Sequence, residues 1–326
     1  MNNQKKETRK RRWALIRFLV SGGALAFVLA TIGLEEIGRA LLDASPIPLL
    51  LALALFFVGI VVRAARWRAL LVALDIRVPF RRLVHLYFVG GFFNAFLPSG
   101  FGGDIVRVLE LAQNAQATPV LGTVVVDRMT GLLVLFCMAL VAAPFSGQLL
   151  PLETRLAIAG VALAGLLAGG LVLQGGLLRR WGRWLPGPLA LTGEGPLARA
   201  YAAITACGWR AVGQAIVYSV VFNVILALIN YLSAYAVGMR LSLTYFFLFV
   251  PILSLTLLLP ISVGGLGVRE GMAVLLFTQA GVDEAVAAAA SLAVYAVART
   301  TSLFGGLLYL AQSVRGLRAK TGDETR

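Results

Sequence analysis

Residues 97–107 read LPSGFGGDIVR, and residues 259–269 read LPISVGGLGVR. Set one beneath the other, they share L-P-x-x-x-G-G-x-x-V-R, six identities in eleven positions, 162 residues apart. Pro98 matches Pro260, Gly102 and Gly103 match Gly264 and Gly265, and Arg107 matches Arg269. A weaker echo follows in the same order, R-x-T-x-L, from Arg128 and again from Arg299. Proline disfavours helix at the residue before it, and paired glycines let the backbone turn or approach a neighbour closely. Each copy therefore interrupts a helix. The offset is half the chain, so the chain reads as two repeats, 1–150 and 151–326, within one integral membrane unit.

Composition supplies the solvent for those helices. Hydrophobic residues make up 59% and charged residues 13%, and the mean hydropathy is +0.87. A spanning helix needs about 20 apolar residues to cross roughly 30 Å of hydrocarbon. Runs at 14–33, 47–62, 119–143, 154–174, 211–238 and 285–311 meet that requirement. Two further apolar stretches, 83–97 and 243–259, run straight into the two motifs. At 1.5 Å per residue the first reaches roughly 22 Å, short of the far side. Broken backbone in hydrocarbon is tolerated only where it packs in protein or lines a wet cavity. The fold class expected is thus all-α and polytopic, with about six spanning helices and two re-entrant hairpins. Eight spans is the alternative, if 83–97 and 243–259 cross.

The net charge of +14 falls in clusters beside helix ends: Lys5 to Arg12, Arg63 to Arg82, Arg179 to Arg210 and Arg315 to Lys320. Placing all four on the cytoplasmic side puts both termini inside. The opposing loops carry Glu35, Glu36, Asp43, Glu153, Asp283 and Glu284, with Arg39 and Arg240 as basic exceptions. The surplus is an orientation signal and an attraction for anionic headgroups, so no nucleic-acid partner is expected. In this topology the first motif enters from the cytoplasmic face and the second from the opposite one. That is the inverted-repeat plan of secondary transporters, whose interrupted helices meet near the midplane and form the site.

The segments FFNAFLPSGFGGDIVR, VVVDRMTGL and LPISVGGLGVREG resemble the signature blocks of the lysylphosphatidylglycerol synthase transmembrane family. The resemblance runs from RAARWRALL at 63–71 to the final helix. It implies a multi-pass bacterial inner-membrane protein that moves a phospholipid or other anionic lipid between leaflets. It also places Asn94, Pro98, Gly103, Asp104, Arg107, Asp127, Arg128, Gly264, Gly265, Gly267, Arg269 and Glu270 on family motif positions. The soluble aminoacyl-transferring domain of the full-length synthases has no counterpart in this sequence, so aminoacyl-lipid synthesis is not expected. A membrane-embedded lipid-modifying enzyme, or an accessory subunit of a glycosyl- or aminoacyl-transferase, are the alternative readings.

Transport also fits the residue inventory better than catalysis. There is no G-x-x-x-x-G-K-[ST], no Cys/His metal spacing and no nucleophile–base set, so neither cofactor, metal nor catalytic residue is expected. The single histidine, His85, reads as an interfacial or packing residue. Cys137 and Cys207 stand far apart and read as packing residues.

What remains are charges within apolar segments: Asp104, Arg107, Asp127, Arg128, Arg269, Glu270 and Arg299. Each costs roughly 2.5–3.5 kcal/mol at a helix centre on insertion scales, so they should face inward and pair. Arg107 and Arg269 follow the glycine turns, where backbone N–H groups and a guanidinium fork together suit a phosphate. Asp127 and Arg128 fit a structural salt bridge as well as ligand contact, since adjacent residues point to different sides of a helix. The candidate headgroup site is therefore Asn94, Pro98, Gly102, Gly103, Asp104, Arg107, Asp127, Arg128, Gly264, Gly265, Arg269, Glu270 and Arg299. Arg63, Arg66 and Trp67 read more simply as an interfacial anchor at the end of the second helix. RRWGRW at 179–184 reads as an amphipathic segment on the cytoplasmic leaflet.

Overall fold

The computed structural model describes residues 34–96, 102–112, 117–146, 151–174, 201–202, 205–256 and 267–323. The first apolar run (14–33), the RRWGRW segment, Pro98, Gly264 and Gly265 lie outside them. Every regular element among the described residues is helical. In order these are α1 (Leu34–Leu42), α2 (Pro46–Val72), α3 (Phe80–Phe96), α4 (Gly102–Ala112), α5 (Ala117–Ala142), α6 (Leu152–Gln174), α7 (Gly208–Ala236), α8 (Leu243–Thr256), α9 (Val268–Gln279) and α10 (Glu284–Asp323).

Among the described residues, four helices are long and apolar enough to cross a membrane: Pro46–Val72, Ala117–Phe145, Gly208–Ala236 and Glu284–Gln312. Within α6 and α8 the apolar stretches are shorter, Arg155–Leu171 and Leu243–Ser254. Local chemistry sets several boundaries. Prolines at the first turn of α2 suit positions whose N–H groups have no intrahelical acceptor. Asp283 Oδ1 accepts the Ala285 N–H at 2.9 Å at the start of α10. Gly267 opens α9 at φ 82°, a left-handed conformation that suits glycine, and its N–H donates to Glu270 Oε2 at 2.6 Å.

The element order repeats with the motif. A long helix, a broken pair and a second long helix (α2, α3–α4, α5) recur as α7, α8–α9, α10. Packing repeats too. Helix α2 lies against α7, its own counterpart, while α3 lies on α10 as α8 lies on α5. Likewise α4 packs on α5 as α9 packs on α10.

Contacts along the helices fix their directions. The Ser45 N–H at the start of α2 donates to the Ala236 carbonyl at the end of α7, at 2.9 Å. Further along, Gly59 faces Phe222, and Arg66 Nη1 donates to Ser219 Oγ at 3.0 Å. So α2 and α7 are antiparallel. Helices α3 and α4 form an antiparallel hairpin: Asn94 Oδ1 accepts the Gly103 N–H at 2.6 Å, and farther out Arg82 Nη2 donates to the Glu110 carbonyl at 3.3 Å. The end of α2 and the start of α5 meet through Trp67 Nε1, which donates to Thr123 Oγ1 at 2.9 Å. The end of α2 and the start of α5 are thus neighbours at one end of the bundle.

The largest apolar core joins α7, α8, α9 and the alanine-rich start of α10 (Ala287 to Ala290) around Phe246, Phe249 and Phe277. Small side chains let helices approach closely, which is how packing works without a hydrophobic drive between them in lipid. A second core surrounds Trp67, Leu71, Leu83 and Tyr87, where α2, α3, α4 and α5 meet. The candidate site is built into this second core.

Candidate functional site

Helices α2, α3, α4 and α5 each deliver at least one polar side chain to that core. Arg63 and Arg66 come from α2, Tyr87 and Asn94 from α3, Asp104 and Arg107 from α4, and Asp127 and Arg128 from α5. Exposure is 0% for Asp127, 2% for Arg107, 4% for Arg66 and 7% for Asp104. Charges this deep must be paired and hydrogen-bonded.

Asp127 is the hub. Its Oδ1 accepts from Arg66 Nε at 2.6 Å and its Oδ2 from Tyr87 Oη at 2.8 Å. Arg107 Nη1 lies 3.9 Å from the same Oδ2, close enough for Coulomb attraction and too far for a hydrogen bond. Asp104 is the second acceptor, paired with both Arg107 and Arg128. Asp127 and Arg128 do point to different sides of α5, one toward Arg66 and the other toward Asp104. Aromatic faces complete the cradle: the Arg107 guanidinium lies 4.1 Å from the Tyr87 ring centre and 4.8 Å from that of Trp67. Arg63 sits 4.9 Å from Tyr87 and 5.3 Å from Phe222.

Arg66 and Trp67 correct the sequence reading. They are not an interfacial anchor but buried members of this cluster, at 4% and 0% exposure, and Arg63 lies with them over Tyr87. Hydropathy along α2 gives no hint of this, because an arginine at a helix end reads the same whether it faces headgroups or a carboxylate. The one available signal was spacing. Arg63, Arg66 and Trp67 lie three and four residues apart and share a helix face.

The charge does not balance. The buried Arg66 and Arg107, with Arg63 beside them and the part-exposed Arg128 on Asp104, face two carboxylates, Asp104 and Asp127, so guanidinium groups outnumber carboxylates among the described residues of this core. Arg63 Nε and Arg107 Nη1 are buried there without a hydrogen-bond partner among the described residues. A buried, unpaired donor is costly, and an anion bound between the helices would satisfy it.

The second motif forms a separate, smaller polar group. Arg269 Nη2 donates to Asn230 Oδ1 at 3.0 Å, and the buried Arg269 Nε has no partner among the described residues. Glu270, 1% exposed, caps Gly267 and lies 3.4 Å from Ser291 Oγ. Arg299 belongs with neither cluster's carboxylates. It donates to the Ala95 carbonyl at 2.7 Å, tying α10 to the end of α3 beside Asn94. Asn94, Gly102, Gly103, Asp104, Arg107, Asp127 and Arg128 are thus one assembly and Arg269 with Glu270 another. The two sit at successive levels of α7, at Ser219–Asn223 and at Asn230.

A model of the lysylphosphatidylglycerol synthase transmembrane region matches residues 14–305, nearly the whole chain. The chain belongs to the lysylphosphatidylglycerol synthase transmembrane family. Among curated proteins, a UPF0104 membrane protein of Pyrococcus horikoshii is 28% identical over 101 residues, 30% of this chain and 30% of that one. That match spans under a third of the relative's length, so it supports the family and carries no activity across. Membership and the four long apolar helices make this a multi-pass membrane protein.

For a member of this family, the remaining polar residues have modest roles. His85 Nε2 and Gln312 Oε1 are 2.7 Å apart where α3 meets α10. Burial pushes the Cys207 thiol up to about 11, which suits packing rather than a nucleophile. No group of His, Cys, Asp and Glu able to hold a metal occurs among the described residues.

Proposed function

We propose that this protein moves a phosphate-bearing anionic lipid between the leaflets of the cell's inner membrane, holding the headgroup at the α3–α4 hairpin. The observation that carries this reading is the excess of guanidinium groups over carboxylates in this core, with buried Arg63 Nε and Arg107 Nη1 left without a hydrogen-bond partner among the described residues. Guanidinium forks match phosphate oxygens in geometry as well as charge. A purely structural ion network has no reason to bury cations beyond its anions, since each unmatched charge in a dry interior is strongly unfavourable.

The architecture in this reading is a pair of inverted repeats with two re-entrant hairpins. Its support is threefold: counterpart helices α2 and α7 run antiparallel, the α3–α4 hairpin returns to the end it left, and packing contacts recur when the halves are exchanged. An antiparallel pair of equivalent helices requires a pseudo-two-fold axis lying across them, which is the arrangement transporters use for alternating access. Arg77, Arg81 and Arg82 after α2 and Arg210 at the start of α7 then fall on one side, taken as cytoplasmic.

The test is leaflet exchange in proteoliposomes. Fluorescent-tailed phosphatidylglycerol should exchange at a protein-dependent rate, while a neutral glycolipid with the same tails should not. Arg107→Lys keeps the charge and loses the planar fork, so exchange should fall about tenfold or more, the worth of one charge-assisted hydrogen bond. Equal exchange of both lipids, or a wild-type rate in the Lys variant, rules out headgroup capture by Arg107. Appearance of a new lipid species instead would mark the chain as an enzyme.

A further inference from the structure

Helix α7 carries a buried polar stripe that the two clusters do not explain. Ser219, Asn223, Asn230 and Ser233 are 0%, 1%, 6% and 0% exposed. At 3.6 residues per turn they fall within an arc of about 80°, and they extend along about 21 Å of helix. Ala227, also 0% exposed, lies just beside this arc, and the part-buried Leu226 falls within it between Asn223 and Asn230. The opposite face, with Val217 and Val221 exposed, meets lipid.

The two ends of the stripe meet the two clusters. Ser219 accepts from Arg66, and Asn223 Nδ2 donates to the Gly131 carbonyl at 3.3 Å beside the first cluster. Asn230 accepts from Arg269, and with Arg269 and Ser291 it lines a void of about 10 Å³, room for roughly one water. The stripe therefore begins at the arginine cluster of one half and ends at the matching arginine of the other.

Polar residues in membrane helices often serve only to hold helices together. Ser233 does not fit that role. Serine and threonine in a helix ordinarily return their hydroxyl to the carbonyl four residues back. Thr130, Thr301 and Ser302 all do so here, on Val126, Val297 and Ala298. Ser233 Oγ is fully buried and has no partner among the described residues, as is true of Arg269 Nε nearby. Ser219, Asn223 and Asn230 have partners in the resting structure that a passing ligand would exchange, whereas the Ser233 hydroxyl would gain one only as the ligand passes.

We propose that the polar face of α7 is the track along which the lipid headgroup crosses, from the Arg63–Arg107 cluster past Asn223 to Asn230, Ser233 and Arg269. The acyl chains stay in lipid while the phosphate trades hydrogen-bond partners along the stripe. This rests on the transport reading and adds the path, a role for Asn223, Asn230 and Ser233 that neither motif carries.

Ser233→Ala is the deciding variant in the proteoliposome assay with fluorescent-tailed phosphatidylglycerol. Removing an unsatisfied buried hydroxyl should leave thermal stability unchanged or raised, yet exchange should slow about threefold or more. Asn223→Leu and Asn230→Leu should each slow it about tenfold, with Asn→Ser at the same positions restoring most of the rate. Val217→Leu, on the lipid face, should exchange as wild type. If wild type exchanges and Ser233→Ala and both Leu variants match it within twofold, the track is wrong and transport stands. If wild type itself shows no exchange, the transport reading and the track fall together. Slowing in Ser233→Ala that is accompanied by loss of thermal stability would return α7's polar face to a structural role.

Discussion

Gly103→Ala adds one methyl group where α3 and α4 cross. The new Cβ would stand 2.1 Å from the Gly90 carbonyl oxygen, 2.6 Å from its carbon and 2.8 Å from Asn94 Nδ2. Two of those atoms are backbone, so no side chain can swing away. Restoring ordinary contact at about 3.4 Å requires the helices to separate by about 1.3 Å, which closely packed interiors resist. Overpacking of this kind costs about 1–3 kcal/mol, and losing the Gly103–Asn94 hydrogen bond adds about 0.5–1.5 kcal/mol, so about 2–4 kcal/mol is expected. The assay is unfolding of the purified protein by SDS titration, with Gly91→Ala as comparator. A Cβ at Gly91 meets nothing within 4 Å, and alanine favours helix there. Gly169→Ala should also be mild, because its nearest neighbour is the flexible tip of Leu133, at 2.7 Å. If Gly103→Ala unfolds with Gly91→Ala, the hairpin is not held by this contact and the argument from close approach fails.

Asp127→Asn keeps the shape of the hub but leaves Arg66 and Arg107 without their shared anion. Breaking a buried pair from one side should destabilise by about 3–5 kcal/mol in the same titration, and Arg66→Met combined with Asp127→Leu should recover part of it. No change in the single variant would mean the cluster is wetter than the burial of Asp127 implies. For topology, single cysteines replacing Asp75 and Ala117, in a chain freed of Cys137 and Cys207, should label from the same side of the membrane. Both positions are exposed, one after α2 and one at the start of α5. Labelling from opposite sides would show that α3 and α4 cross together rather than return.

Much of the fold is legible in the order of residues. The paired L-P-x-x-x-G-G motifs predict two interrupted helices, and around the first the described helices α3 and α4 run antiparallel, with Gly103 against Asn94 and Glu110 against Arg82. Apolar length predicts the long helices, because hydrocarbon thickness sets a minimum that composition either meets or does not. The expectation that Asp127 and Arg128 would face different partners follows from helix geometry alone and agrees with their pairing to Arg66 and Asp104. The misreading of Arg63, Arg66 and Trp67 has an equally physical cause. An arginine near the end of an apolar run can reach headgroups or turn inward, and only the position of Asp127, 61 residues on from Arg66, decides between them.

The sequence by itself determined that this chain lives in a membrane, that an L-P-x-x-x-G-G-x-x-V-R motif occurs in it twice, and that each copy sets proline and paired glycines before an arginine. Those are local or one-dimensional properties: hydropathy, repetition, and the backbone demands of proline and glycine. Only the tertiary structure decided where the arginines go. It brought four guanidinium groups and two carboxylates from three helices to one buried point, left the matching arginine of the second half to Asn230, and ran a polar stripe of α7 between them. Electrostatics in a medium of low dielectric depends on separations of a few ångströms, and those are set by which helices become neighbours, not by which residues follow one another along the chain.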